Sequence, residues 1–392
     1  MTGLMSSEAL TGPAHGPGDP APDAAAIASL IVAVQSAGVR IEAPVETRTG
    51  GAGPTDSGML WIEGFPVTVP TTGAARRSPY VVRSEDNGAQ GLYRDGARLA
   101  SVTGSRRPRF YDRTTADGTP YWKIALLHLD SLASTVVQAC NYWNTADQCA
   151  FCGIGVSLDS GNTVARKTPE QLAEVAVAAK ELDGAVDATL TTGSSVAPDR
   201  GARYVARCGR AVKDASGLPV EIQFEPPREP AILDEVHGTG GSDAVGIHVE
   251  TFDPAVLARV APGKARTGLD TYYRTWERAV ALWGRGRVST YVILGMGEDP
   301  DLTVEGCRRA IDLGVYPFVV PLRPVAGSLM ADAVTPDAEY TDRIYRKVAA
   351  YLAERGLSAD DAVAGCARCQ ACSALNAVQP LLQIGRRPGT TP

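Results

Sequence analysis

The chain has 392 residues, 44% of them hydrophobic, enough for a core larger than one average domain requires. It sets 38 Lys and Arg against 44 Asp and Glu, a formal net charge of -6 that argues against a duplex nucleic-acid binder. No apolar run is long enough to cross a bilayer, and residues 1–23 lack the basic start of a secretory leader, the first Arg being Arg40; the sequence reads as cytoplasmic, with no membrane partner.

Residues 1–23, rich in Gly, Pro, Ala and Ser, are expected to form a disordered tail. Residues 24–37 have helical composition and stop at Gly38. Residues 45–57 are again loop-like. From Met59 to Leu129 short β-like runs alternate with turn signals such as Asp95-Gly96 and Asp117-Gly118. The stretch 24–130 is therefore expected to be an N-terminal α+β domain.

Beyond residue 131 the pattern becomes strand then helix, repeated. Strands are expected over 134–139, 187–192, 219–225, 244–250, 288–294 and 317–322, as near-continuous apolar runs suited to burial on both faces. Thr168-Pro169-Glu170-Gln171 gives an N-cap, Pro at N1 and Gln at N3, the signature of a capping box opening a helix. Further helices are expected over 268–284, 302–313 and 337–355, with Tyr272, Trp276 and Trp283 as a core stripe. The grammar predicts an α/β fold: a partial (βα)6 TIM-like barrel over 131–335, with a C-terminal helix and Cys-rich extension over 336–392. An open doubly wound sheet ranks second, because no Gly-rich dinucleotide turn follows the first strand.

Six of the eight Cys fall in two tight clusters, and there are only four His. In a cytosolic chain such clusters read as metal ligands, and reliance on thiolate selects zinc or iron–sulfur. The first strand runs into CNYWNTADQCAFC, placing Cys140, Cys149 and Cys152 on one loop with spacing C-x8-C-x2-C. Three thiolates can hold three irons of a 4Fe–4S cluster and leave the fourth open to chelate a cofactor. Phe151 would set backbone against an adenine. Cys366, Cys369 and Cys372, spaced C-x2-C-x2-C, offer a second iron–sulfur site, its fourth ligand being Cys208, Cys307, a non-Cys group or the substrate. The bland reading of each triplet is structural zinc, and of Cys208 and Cys307 small buried hydrophobes. Alone, His248 reads as a core histidine, and Gly295 and Gly297 as a tight turn.

The cysteine loop and three further stretches resemble the radical S-adenosylmethionine superfamily over roughly residues 130–330, although that family usually spaces the first two Cys by three residues. DATLTTGSS (187–195) stands where the family's second motif binds the methionine amino group, with Thr192, Gly193, Ser194 and Ser195 replacing the usual Gly-Gly-Glu. GIHVETFDP (246–254) is similar to the strand-four motif of biotin and lipoyl synthases, which gives His248 and Glu250 the ribose hydroxyls. YVILGMGED (291–299) resembles the glycine motif lying along the adenine, through Gly295 and Gly297, while Gln223 and Glu225 end strand three at the same mouth. More narrowly, residues 107–130, the long cysteine loop and GCARCQACSAL (365–375) resemble a subfamily of radical enzymes encoded beside nitrilases in bacterial gene clusters.

The resemblance implies an enzyme in which S-adenosylmethionine, cleaved reductively at a 4Fe–4S cluster, gives a 5′-deoxyadenosyl radical. That radical takes hydrogen from a small-molecule substrate, which the subfamily likeness implies to be nitrogen-rich and linked to nitrile metabolism. An electron donor such as flavodoxin or ferredoxin is implied. The rival readings are sulfur insertion of the biotin synthase kind using the C-terminal cluster, and a non-catalytic zinc or iron–sulfur scaffold.

Overall fold

Six apolar runs become six parallel strands. In the computed structural model, which describes residues 23–45 and 57–384, these are β8 (Ser131–Val137), β9 (Asp187–Thr192), β10 (Val220–Gln223), β11 (Ala244–Gly246), β12 (Val288–Leu294) and β13 (Val315–Pro321). The short β7 (Leu126–His128) pairs antiparallel with β8. The seven lie in strict sequential order, β13 through β7, with every pair from β8 to β13 parallel. A doubly wound sheet reverses its strand order at a switch point; an unbroken progression keeps the crossovers on one face and yields the partial barrel. The tail expected over 1–23 lies outside the described residues apart from Asp23, as does the loop over 45–57 apart from its ends.

The helices start where side chains can satisfy their first N–H groups. Thr168 and Gln171 form the reciprocal capping box that opens Pro169–Asp183. Asp253, Asp299 and Asp337 cap Pro254–Val260, Pro300–Leu313 and Ala338–Glu354, and the first two of these helices carry Pro in the first turn. Tyr272 and Trp276, on Leu269–Trp283, are fully buried, and Trp276 Nε1 donates to Ile247 O at 3.0 Å.

The fourth strand departs from expectation. The run 244–250 forms a regular ladder only over Ala244–Gly246. Beyond it, two side chains interrupt the ladder: His248 Nδ1 accepts from Tyr291 N–H at 3.1 Å, and Thr290 Oγ1 accepts from Val249 N–H at 3.0 Å, before Glu250 N–H rejoins Tyr291 O at 3.0 Å. The segment ends with Glu250 at φ +71°, a left-handed conformation that costs a non-glycine residue free energy.

A second sheet precedes the barrel strands. It contains β1 (Arg40–Ile41), β2 (Ser57–Ile62), β3 (Phe65–Pro70), β4 (Tyr80–Ser84), β5 (Gln90–Arg94) and β6 (Ala97–Gly104), in the order β1-β4-β5-β6-β2-β3. All pairs except β1–β4 are antiparallel. Asp95-Gly96 turns the β5–β6 hairpin with φ +51° and +82°, the two positive values a type I′ turn needs. Helix Ala24–Ala37 packs on β3 and on the C-terminal helices Ala338–Glu354 and Leu375–Ile384.

Candidate active site

At the carboxyl ends of the barrel strands lies a cavity of about 280 Å3. Cys140, Cys149 and Cys152 all line it, together with Gln223, His248 and Glu250. The long cysteine loop is fixed at several points. Asn141 N–H donates to Ser194 O at 2.8 Å, Ala150 N–H to Val260 O at 2.7 Å, and Met330 N–H to Ala150 O at 3.1 Å. The extra residues of the first gap fold into turns, with Asn144 N–H donating to Gln148 Oε1 at 2.9 Å. Cys149, Ala150 and Phe151 pack on an apolar cluster of Val256, Leu257, Val260, Met296 and Leu322. Burial pushes the Cys149 thiol well up and the Cys152 thiol to about 11, so neither is a free thiolate near neutrality without a bound cation.

Around the thiols stands a ring of polar groups. Glu225 is its hub: Ser194 Oγ donates to Oε2 at 2.6 Å, Tyr142 Oη and Thr267 Oγ1 donate to Oε1 at 3.2 Å each, and Arg200 pairs with the same oxygen. Desolvation first, and then the Glu225 charge, push the Tyr142 hydroxyl up to about 12. In the same lining Lys264 pairs with Glu250 and also donates to His248 O at 3.0 Å. Burial works against the Lys264 charge, yet Glu250 and its neighbours hold the ammonium well above its ordinary range. Burial, helped by Lys264, lowers His248 to about 3, so the imidazole is neutral. Its Nδ1 accepts from Tyr291, which assigns the proton to Nε2, a buried donor with no partner.

Among the described residues no three His, Cys, Asp or Glu side chains converge on single-ion geometry. Three thiols spread around a cavity, a carboxylate–ammonium pair and an unpartnered imidazole N–H fit a larger group instead: a three-thiolate cluster beside a polar ligand.

The sequence-level candidates divide. Cys140, Cys149, Phe151, Cys152, Thr192, Gly193, Ser194, Gln223, Glu225, His248 and Glu250 come together on the cavity. Ser195, Gly295 and Gly297 are not in its lining. Gly295 and Gly297 have φ +96° and +90° and form a turn closed by Glu298, which accepts from Gly295 and Met296 N–H at 2.8 Å each. Lys264, Tyr142 and Arg200 were not anticipated. Lys264 follows a Pro-Gly step after helix Pro254–Val260, and no period or spacing marks it.

The second triplet enters the barrel from the opposite end. Arg368 pairs with Asp187, the first residue of β9, and with Asp130, while Gly365 N–H donates to Asp187 Oδ2 at 2.9 Å. Cys366 Sγ accepts from Tyr291 Oη at 3.2 Å and from Gln223 Nε2 at 3.6 Å. Gln223 thus touches both the upper cavity and the lower triplet. Cys208 and Cys307 are buried within barrel helices Ala202–Ser216 and Pro300–Leu313.

No family model matches the chain. A bacteriochlorophyllide c C-7(1)-hydroxylase from Chlorobaculum limnaeum is 29% identical over 241 residues, covering 54% of this chain and 57% of that protein, less than two thirds of its length. Among solved structures, methylornithine synthase is similar with a TM-score of 0.46 and 16% identity, over 63% of this chain and 69% of that one. A radical SAM methyltransferase from Sphaerobacter thermophilus gives a TM-score of 0.44 and 16% identity, over 74% and 76%.

Proposed function

We propose that the protein is a radical S-adenosylmethionine enzyme holding a 4Fe–4S cluster on Cys140, Cys149 and Cys152 and acting on a small molecule in the barrel mouth. The observation that carries this reading is the convergence of three thiols from one loop with Glu225, Glu250, Lys264 and His248 on a single cavity at the carboxyl ends of six parallel strands. When bound, the cluster and S-adenosylmethionine supply reductive cleavage to methionine and a 5′-deoxyadenosyl radical that abstracts hydrogen from the substrate. The relative named as a bacteriochlorophyllide c C-7(1)-hydroxylase supports a reading as an enzyme that acts at carbon.

The chain's own residues bind, orient and exclude water. Glu250, anchored by Lys264, offers a carboxylate to hydroxyls, and the neutral His248 offers its Nε2–H. Ser194 and Glu225 present a fixed polar edge toward an ammonium group. Phe151 lines the cavity and packs with Cys149 and Ala150 on the apolar cluster, which backs the cluster loop. A second iron–sulfur cluster on Cys366, Cys369 and Cys372 belongs to this reading, as does a flavodoxin- or ferredoxin-like donor. A reducing cytoplasm suits cysteines that serve as cluster ligands. A nitrogen-rich substrate linked to nitrile metabolism remains the proposal of the subfamily likeness.

The test is product formation. With dithionite and S-adenosylmethionine, anaerobically reconstituted protein is expected to form 5′-deoxyadenosine, and Cys152→Ala to form none. Absence of product above a triple Cys140, Cys149, Cys152→Ala control, with a full and reducible cluster and candidate substrates present, would sink the assignment. A second reading, sulfur insertion with the lower cluster as donor, is favoured by Gln223 bridging the cavity and Cys366. Loss of sulfide from the lower site during turnover would distinguish it.

A further inference from the structure

His128 is an unusual neighbour for a Cys triplet. It ends β7, far in sequence from residues 366–372, yet its Nδ1 lies 3.7 Å from Cys369 Sγ. Its other nitrogen, Nε2, is 2.9 Å from Thr68 Oγ1. With Thr68 accepting from Nε2–H, the Nδ1 lone pair faces the sulfur. That is how metal-bound histidines are held: an outer partner fixes the tautomer and the ring plane while the second nitrogen meets the metal. Thr68 is itself fixed and fully buried. Its N–H donates to Ala371 O at 2.6 Å, within the Cys segment, and its carbonyl accepts from Arg323 Nη2 at 2.6 Å.

The separation says more than proximity. Bonds of about 2.3 Å to sulfur and about 2.1 Å to nitrogen at a tetrahedral metal set the two donors about 3.6 Å apart. The observed 3.7 Å matches two ligands on one metal atom. In a four-iron cube each iron takes a single protein ligand, so two donors this close do not both belong to it. A two-iron cluster takes two ligands on each iron, and imidazole replaces thiolate there in known chemistry. The two free cysteines outside the triplets do not compete for the position, since Cys208 and Cys307 are buried in barrel helices.

Resting on the second cluster of the proposed function, we propose that His128 is the fourth ligand of the C-terminal site, sharing one iron of a two-iron, two-sulfide cluster with Cys369 while Cys366 and Cys372 hold the other. The ligand set is then contributed by two distant parts of the chain, and it forms only when β7 and the C-terminal segment are docked together. An imidazole in place of a thiolate removes negative charge from the site and raises its reduction potential.

The experiment uses the full chain with Cys140, Cys149 and Cys152 changed to Ala, labelled with 15N-histidine and reconstituted anaerobically with iron and sulfide. Two irons and two sulfides per chain are expected, with strong 15N coupling in the pulsed electron paramagnetic resonance spectrum of the reduced cluster. His128→Ala is expected to abolish that coupling. His128→Cys is expected to retain the cluster without nitrogen coupling and at a lower potential. A cluster showing no 15N coupling, or one whose spectrum is unchanged in His128→Ala, overturns the inference and leaves the second cluster standing. A triple variant that binds no iron, beside a wild type with iron for one cluster only, overturns the second cluster and this inference with it. If the triple variant does not fold, the same comparison between wild-type and His128→Ala holoprotein decides the matter.

Discussion

Lys264 is the one Lys or Arg among the described residues that line the upper cavity, and it forms an ion pair with Glu250. The pair fixes a carboxylate that emerges from a strained φ of +71° and would otherwise swing freely. Glu250→Ala is therefore expected to weaken S-adenosylmethionine binding about tenfold or more, the loss of one charge-assisted hydrogen bond, with iron content unchanged. Equilibrium binding on fully reconstituted protein checks this, and unchanged affinity would remove Glu250 from the pocket. His248 gives a second prediction at this scale. Since burial lowers its pKa to about 3, the ring stays neutral from pH 5.5 to 8, and cofactor affinity should show no histidine inflection across that window. An inflection near pH 6.5 that disappears in His248→Gln would contradict the buried, neutral ring.

Elements meet the site through close backbone approach. A Cβ at Gly193 would stand 2.0 Å from Ala139 O, so the end of β9 and the start of the cysteine loop touch because residue 193 has no side chain. Gly193→Ala should displace Cys140, reducing cluster occupancy and product formation severalfold while the circular dichroism spectrum stays native. A different outcome is expected at the capping box. Thr168→Ala removes one of two reciprocal cap bonds on Pro169–Asp183, so stability should fall by about 1 kcal/mol in urea unfolding, with an unchanged slope and unchanged iron content. The comparison separates a helix that supports the barrel from a loop that shapes its site.

Across the whole molecule, the C-terminal segment joins the barrel's amino end to the N-terminal sheet. Arg368 neutralises the fully buried Asp187, and Ala371 O accepts from both Thr68 N–H and Gln35 Nε2. Arg368→Ala would leave Asp187 buried and unpaired, which costs about 3–5 kcal/mol when no compensating rearrangement occurs. The expected result is selective: chelator should strip the lower iron much faster than in wild type, while the upper cluster persists and S-adenosylmethionine still binds. Equal loss from both sites would show that the segment does not hold the lower site independently.

The amino-acid sequence by itself determined the alternation of strand and helix, because buried parallel strands must be apolar runs and helix starts must supply acceptors such as Thr168 and Asp299. It also displayed Cys140, Cys149 and Cys152, whose spacing is local, and the motif residues that follow successive strands. Tertiary structure alone decided that side chains would interrupt the β11 ladder between Ile247 and Glu250, since that depends on Thr290 and Tyr291 across it. It alone brought Lys264 to Glu250 and Arg200 to Glu225, pairs that stand 14 and 25 positions apart and carry no periodic mark. It alone set His128 beside Cys369, 241 residues away. Spacing along the chain encodes what one loop can hold. Which distant donors complete a site is fixed only when sheets and termini dock, because the free energy that orders them comes from packing the whole.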